Sequence, residues 1–172
     1  KEFQRIKRKC IGNCKIQFRG RLNQKELFRS IVKNDLFFYP SFEGGGLITL
    51  ESMALGLPIL CLDFGGAGEM VKNEFNGFSL KYTNYDLVVN QFVIKLNSYH
   101  SNRNLLEIHG NNSIRAPSML HGHPLLQSLQ TIFRPGVLII QKNTVQRSSL
   151  PIAIRYDVVL EAVETFIFVN LF

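Results

Sequence analysis

The sequence predicts an α/β chain, a Rossmann-like parallel sheet flanked by helices, and three observations carry that expectation. Short apolar runs at residues 36–39, 58–62 and 78–80 have the length and composition of strands buried on both faces. Segments with apolar residues at three- and four-residue spacing separate them, which is a helical period. Glycine-rich stretches follow two of the runs, at residues 44–46 and 65–68, where a strand would hand over to a helix.

In chain order, residues 1–9 read as the tail of a helix with Gly12 and Asn13 as its exit, and residues 15–19 as a first strand ending at Gly20. Asn23 followed by Glu26 fits an N-cap and its box partner. The helix they open is expected from Gln24 to about Lys33, with Leu27, Ile31 and Val32 turned inward. Residues 36–39 form the next strand, closed by Pro40. After the glycines, Leu47, Leu50 and Ala54 form an apolar helical stripe that Gly56 and Pro58 terminate. Residues 58–62 return as a strand, and Cys61 within it reads as a small core residue. A second glycine loop, residues 63–69, lacks the spacing of a dinucleotide fingerprint. A short helix over residues 69–72, a turn at Asn76 and Gly77 and a strand over residues 78–80 come next. Asn84 or Asp86 caps a helix reaching to about Tyr99, with Val88, Phe92, Leu96 and Tyr99 on one face. A last helix is expected over residues 102–115.

The stretch with chemical content is PSFEGGGLITLESMALGLPIL. A strand that feeds a glycine loop and then a helix gathers unpaired amide N–H groups and the positive end of the helix dipole at one point, which suits phosphate. Successive glycines permit positive φ and let a ligand approach the main chain closely. Glu43 precedes the glycines and Glu51 lies in the helix, with seven residues between them. A carboxylate is repelled by phosphate, so acids on either side of such a loop suit neutral hydroxyls, and the combination describes a nucleotide diphospho-sugar. The amides of Gly44, Gly45, Gly46 and Leu47 would take the diphosphate, one acid a ribose diol, and the other the hydroxyls of the sugar. Either acid taken alone reads equally well as a solvated residue of an ordinary α/β protein.

The same stretch resembles the Glu-x7-Glu signature of the group 1 glycosyltransferases (family 4, retaining, GT-B fold). Upstream, IQFRGRLNQKELFRSIVKNDLFFYPS is similar to the family's strand, Gly, helix, strand run. Downstream, DFGGAGEMV and NEFNGFSL resemble its Gly-Gly-x-x-Glu loop and Asn-Gly turn. The resemblance implies that Glu43 contacts the donor sugar and is the catalytic candidate, that Glu51 contacts the ribose, and that the amides of Gly44 to Ile48 bind the phosphates. The family's Phe between the glycines is Gly45 here, which keeps the amides and loosens the loop. Arg21, in the loop at the first strand's carboxyl end, approaches the nucleobase or is a solvated loop arginine.

By resemblance, residues 1–116 are a partial donor-binding domain, and 117–172 are an unassigned extension in which the likeness stops. The implied reaction is retaining transfer of a hexose from a UDP- or GDP-sugar to a glycan or lipid-linked acceptor, with no bound metal and no other cofactor. The acceptor domain and the Gly-Arg and Lys that grip the phosphates would precede Lys1. The chain alone is therefore expected to hold a donor half-site with little or no transferase activity. The alternatives are a nucleotide-sugar-binding module, paired with a separate acceptor-domain chain, and an inactive remnant.

The chain of 172 residues has a formal charge of +7. Residues 1–29 hold ten Lys and Arg against Glu2 and Glu26, while residues 30–172 hold ten against eleven acids. The excess is one N-terminal stripe, read as a solvated helix end or as a peripheral contact with anionic lipid headgroups. Nucleic acid ranks last, because no binding motif accompanies the charge. Three cysteines, with Cys10 and Cys14 at a spacing unusual for zinc, suggest reduced thiols and a cytoplasmic protein, peripheral at most to the inner membrane face. His121 and His123 read as loop residues, and the apolar runs at 137–140 and 158–172 as buried helix or strand.

Overall fold

The computed structural model describes residues 22–43 and 46–116. The expected helix over residues 1–9, the strand over 15–19, Arg21, Gly44, Gly45, Cys10, Cys14 and everything after Ala116 lie outside the described residues.

Among the described residues, three parallel strands form a sheet in the order β1 (Phe37–Tyr39), β2 (Ile59–Leu62), β3 (Gly77–Leu80). Phe37 pairs with Ile59 and Ile59 with Gly77, so the strands start level with one another. The helices are α1 (Gln24–Ile31), α2 (Leu47–Ala54), α3 (Gly65–Met70), α4 (Tyr85–Ser101) and α5 (Arg103–Arg115). The α/β class and the parallel sheet are as the sequence predicts.

Period-2 alternation on β2 divides the core in two. Leu60 and Leu62 join Phe78, Leu80, Val88, Val89, Phe92, Leu96 and Tyr99 on the α4 side. Ile59 and Cys61 join Tyr39, Leu50, Met53, Ala67, Met70 and Val71 on the α2 and α3 side. Both faces of the sheet are thus covered, as a parallel sheet requires. Cys61 is fully buried, and burial pushes its thiol pKa up to about 12.

Local chemistry sets the helix ends. Asn23 accepts from the Glu26 N–H at 3.0 Å, and Glu26 accepts from the Asn23 N–H at 3.3 Å, which completes the capping box that opens α1. Asn84 and Asn102 cap α4 and α5 with the side-chain oxygen alone, accepting from the Leu87 and Leu105 N–H groups. Helix α2 closes with a Schellman motif: the Leu57 N–H reaches the Ser52 carbonyl, and Gly56, at φ 79°, donates to Met53.

Four expectations need correction. Helix α1 ends at Ile31, so Val32, expected inward, is the cap residue and is 38% exposed. Leu47, expected on the apolar stripe of α2, is 46% exposed, while the buried side of the helix takes in Thr49, Leu50, Ser52 and Met53. Helix α3 occupies residues 65–70 and not 69–72, since Phe64 is extended and the chain turns into the helix at Gly65. Gly77 belongs to β3 and not to a turn before it, pressed against the main chain of Ile59 where any Cβ would collide.

Candidate functional site

The sheet is parallel, so the exits of β1, β2 and β3 gather along one edge. Ligands of open α/β sheets bind outside such an edge. The loop after β1 carries Glu43 and leads into α2, the loop after β2 leads into α3, and the loop after β3 leads through Tyr82 to α4.

The N-terminus of α2 differs from those of α1, α4 and α5. Those three carry an asparagine whose side chain takes an orphan amide, whereas the N-cap of α2 is Gly46, which has no side chain to offer. The first intrahelical bond is Leu50 N–H to the Gly46 carbonyl at 3.0 Å. The amides of Gly46, Leu47, Ile48 and Thr49 therefore lie ahead of the helical ladder, and no acid occupies the first turn to offset their positive end.

The reason for a glycine at position 46 differs from the expected positive φ. Its backbone sits at φ −102° and ψ 1°, which any residue tolerates. Gly46 is buried, and a Cβ there would meet the Met70 methyl and lie 3.3 Å from the Gly66 carbonyl carbon. Absence of a side chain thus lets α3 close against the start of α2, bringing the two glycine-rich segments together. Leu47 is exposed and Ile48 half-buried.

Glu43 stands exposed just before this turn, and two neighbours fix it. The Tyr39 phenol donates to Glu43 Oε2 at 2.9 Å, and the Glu43 N–H donates to Ser41 Oγ at 3.1 Å. Tyr39 is 6% exposed at the end of β1 and stacks on Phe37 with centroids 5.5 Å apart. Burial and then the bond to Glu43 raise its pKa, so it remains a proton donor to the carboxylate. Sequence reasoning missed this pair; its signal was a tyrosine closing the strand four residues before the acid.

Glu51 is 7% exposed in the second turn of α2 and has a polar or electrostatic partner. It follows Leu47 by four residues and Ile48 by three, so all three share one side of the helix. Glu43 and Glu51 thus flank the α2 N-terminus along the chain, one exposed and one buried. Gly44 and Gly45, which join them, and Arg21 are outside the described residues. Among the described residues no cluster of three or more His, Cys, Asp or Glu could hold a metal ion.

The family model described as "Glycosyl transferases group 1" matches residues 1–114. An uncharacterised glycosyltransferase of Methanocaldococcus jannaschii is 31% identical over 117 residues, covering 65% of this chain and 29% of that protein. A sucrose synthase of Melioribacter roseus is 35% identical over 85 residues, 46% of this chain and 11% of its own length. The UDP-Gal:alpha-D-GlcNAc-diphosphoundecaprenol alpha-1,3-galactosyltransferase of Escherichia coli is 38% identical over 61 residues, 35% of this chain and 16% of that enzyme. The chain thus spans less than a third of the length of each of these relatives. No solved structure matches.

Proposed function

The chain belongs to the group 1 glycosyl transferases, and from that premise we propose that it carries the donor half-site of a retaining sugar transferase of GT-B architecture. The observation that carries this reading is the N-terminus of α2, which has no capping side chain, with Glu43, held by Tyr39, before it in the chain and Glu51 after it. In it, the amides of Gly44 to Ile48 hold the diphosphate of a UDP- or GDP-sugar, Glu51 takes the ribose hydroxyls, and Glu43 takes hydroxyls of the transferred hexose. The nucleobase is the contact proposed for Arg21. As the bond from the sugar to the diphosphate breaks, charge grows on the departing oxygens, and fixed amide dipoles oppose it without rearranging.

The acceptor is a glycan or a lipid-linked saccharide. A relative whose name includes a UDP-sugar donor and a diphosphoundecaprenol-linked acceptor supports the UDP-sugar and the lipid-linked choice. No described helix is long and apolar enough to cross a membrane. Contact with anionic lipid is assigned to the basic stripe of residues 1–29, at the cytoplasmic face. The acceptor side is supplied by a further domain or a separate chain.

Calorimetry with UDP, GDP and their sugars tests the reading. Wild type binds one nucleotide series, and Glu51→Gln, which keeps the side chain's volume, weakens it by about tenfold, or ~1.4 kcal/mol. If no nucleotide releases heat, the chain is a non-binding remnant and the proposal fails.

A further inference from the structure

Met70 closes α3 and is 4% exposed, within the core on the α2 and α3 side of the sheet. Its side chain reaches the start of the neighbouring helix. The terminal methyl fills the space that a Cβ on Gly46 would take, and the sulfur stands 3.3 Å from that position. Gly46 is the N-cap of α2, the residue whose carbonyl accepts the first intrahelical bond. A thioether from one helix thus abuts the main chain of the turn that opens the other.

The thioether is itself held. The Met70 carbonyl accepts from Asn76 Nδ2 at 3.2 Å, and Asn76, fully buried, accepts from the Lys72 N–H at 2.8 Å. Gly68 lies against the main chain of Asp63, which fixes the body of α3 at the exit of β2. The turn that opens α2 has less to hold it from within, because its N-cap offers no side-chain bond. Amides bind an anion well only when they converge before it arrives, since ordering them on binding costs affinity. Support for that turn comes instead from across the helix contact, and methionine, unbranched and polarisable, suits close packing on a glycine main chain.

We propose that Met70 is a positioning residue for the diphosphate: it braces Gly46 and so keeps the amides at the α2 N-terminus converged on the phosphates, without touching them. The inference rests on reading that turn as the diphosphate site. A brace of this kind acts on one part of the ligand only. Withdrawing it loosens the turn and lowers affinity for the phosphates, whereas a nucleoside, which lacks them, binds as before. A residue that only filled the core would instead lower the stability of the whole fold and leave the affinity of folded molecules unchanged.

The test uses the full chain with Met70→Ala and with Met70→Leu, which keeps most of the apolar volume but ends short of Gly46. Leu96→Ala, in the core on the opposite face of the sheet, is the control. Circular dichroism and urea unfolding check each fold, while UDP and GDP are titrated by calorimetry and uridine and guanosine by NMR. Met70→Ala should weaken the diphosphate that wild type binds by about tenfold and Met70→Leu by about threefold, with the matching nucleoside within about twofold in both. Leu96→Ala should lower stability yet keep diphosphate affinity within about twofold. Should Met70→Ala fail to fold, Met70→Leu decides alone. The proposal is overturned if folded Met70→Leu binds the diphosphate as wild type does, if nucleoside affinity falls in step, or if Leu96→Ala loses as much. Wild type that binds neither diphosphate removes the donor reading and this inference with it, whereas unchanged binding by the Met70 variants removes the inference alone.

Discussion

A carboxylate is useful to a neutral polyol only if it is held still, and Tyr39 supplies the restraint for Glu43 from a position that solvent barely reaches. Tyr39→Phe keeps the stack on Phe37 and removes the hydroxyl's bond to the acid together with its interaction with Ser41. It should lower stability by about 1 kcal/mol in urea unfolding. It should also weaken the sugar nucleotide several-fold more than the bare nucleotide, because the role proposed for Glu43 is to hold the sugar. Equal losses for the two ligands would show that Tyr39 supports the fold alone. Position 77 is governed by space: the nearest atoms to a Cβ there are main-chain atoms of Ile59, which cannot swing away as a side chain can. Gly77→Ala should therefore cost about 3 kcal/mol in thermal or urea unfolding, whereas a loss near zero would mean that β3 shifts register freely.

The elements that announced themselves in the sequence were those with local causes. Asn23 and Glu26 cap α1 through each other, Asn84 opens α4, and Val88, Phe92, Leu96 and Tyr99 are all buried on its inner face. What stayed hidden depends on partners far along the chain. Gly65, Gly66 and Gly68 are poor helix formers, yet α3 exists because Gly68 can lie against Asp63, where a Cβ would come within 2.9 Å of the main chain. Thr49 and Ser52 are fully buried on α2, with hydroxyls that find no partner among the described residues, so polarity hid how completely that helix is enclosed. Likewise nothing local links His109 on α5 to the turn before β3 that it secures. His109 Nε2 donates to the Glu74 carbonyl at 3.0 Å; burial favours the neutral ring, whose Nδ1 then accepts from the Tyr99 hydroxyl at 2.8 Å. Asn112 and Ser113 fasten the same turn through the Phe75 and Asn76 carbonyls. Burial lowers the His109 pKa against the raising effect of the Glu74 carbonyl, and Lys95 lowers it further. An unfolded histidine titrates near about 6.5, so below that pH the unfolded chain takes a proton that the folded chain refuses. The stability from His109 is full above about pH 6.5 and is lost as pH falls through the folded value. Urea unfolding between about pH 7 and pH 5 should therefore show a decline that His109→Gln flattens, and equal slopes would contradict a neutral buried ring.

For the molecule as a whole, the sheet's direction decides where chemistry can sit. Parallel strands send every exit to one edge, and that edge receives Glu43, the N-terminus of α2, the packed glycines of α3 and the aromatic trio of Phe42, Phe64 and Tyr82, in which Phe42 contacts the other two rings. The signature residues were legible as a motif because strand, glycine loop and helix are consecutive. The trio was not, because its members are separated by whole elements. If sugar nucleotides are held as argued, the phosphates touch the main chain itself, and backbone resonances report that contact directly. The decisive measurement is an amide ¹⁵N–¹H shift map of the full chain titrated with UDP and GDP and, separately, with uridine and guanosine. The account predicts that a diphosphate moves the amides of Gly44 to Ile48 more than any others, and that the nucleoside leaves them nearly in place. Diphosphate shifts centred elsewhere, or equal shifts with the nucleoside, would contradict it.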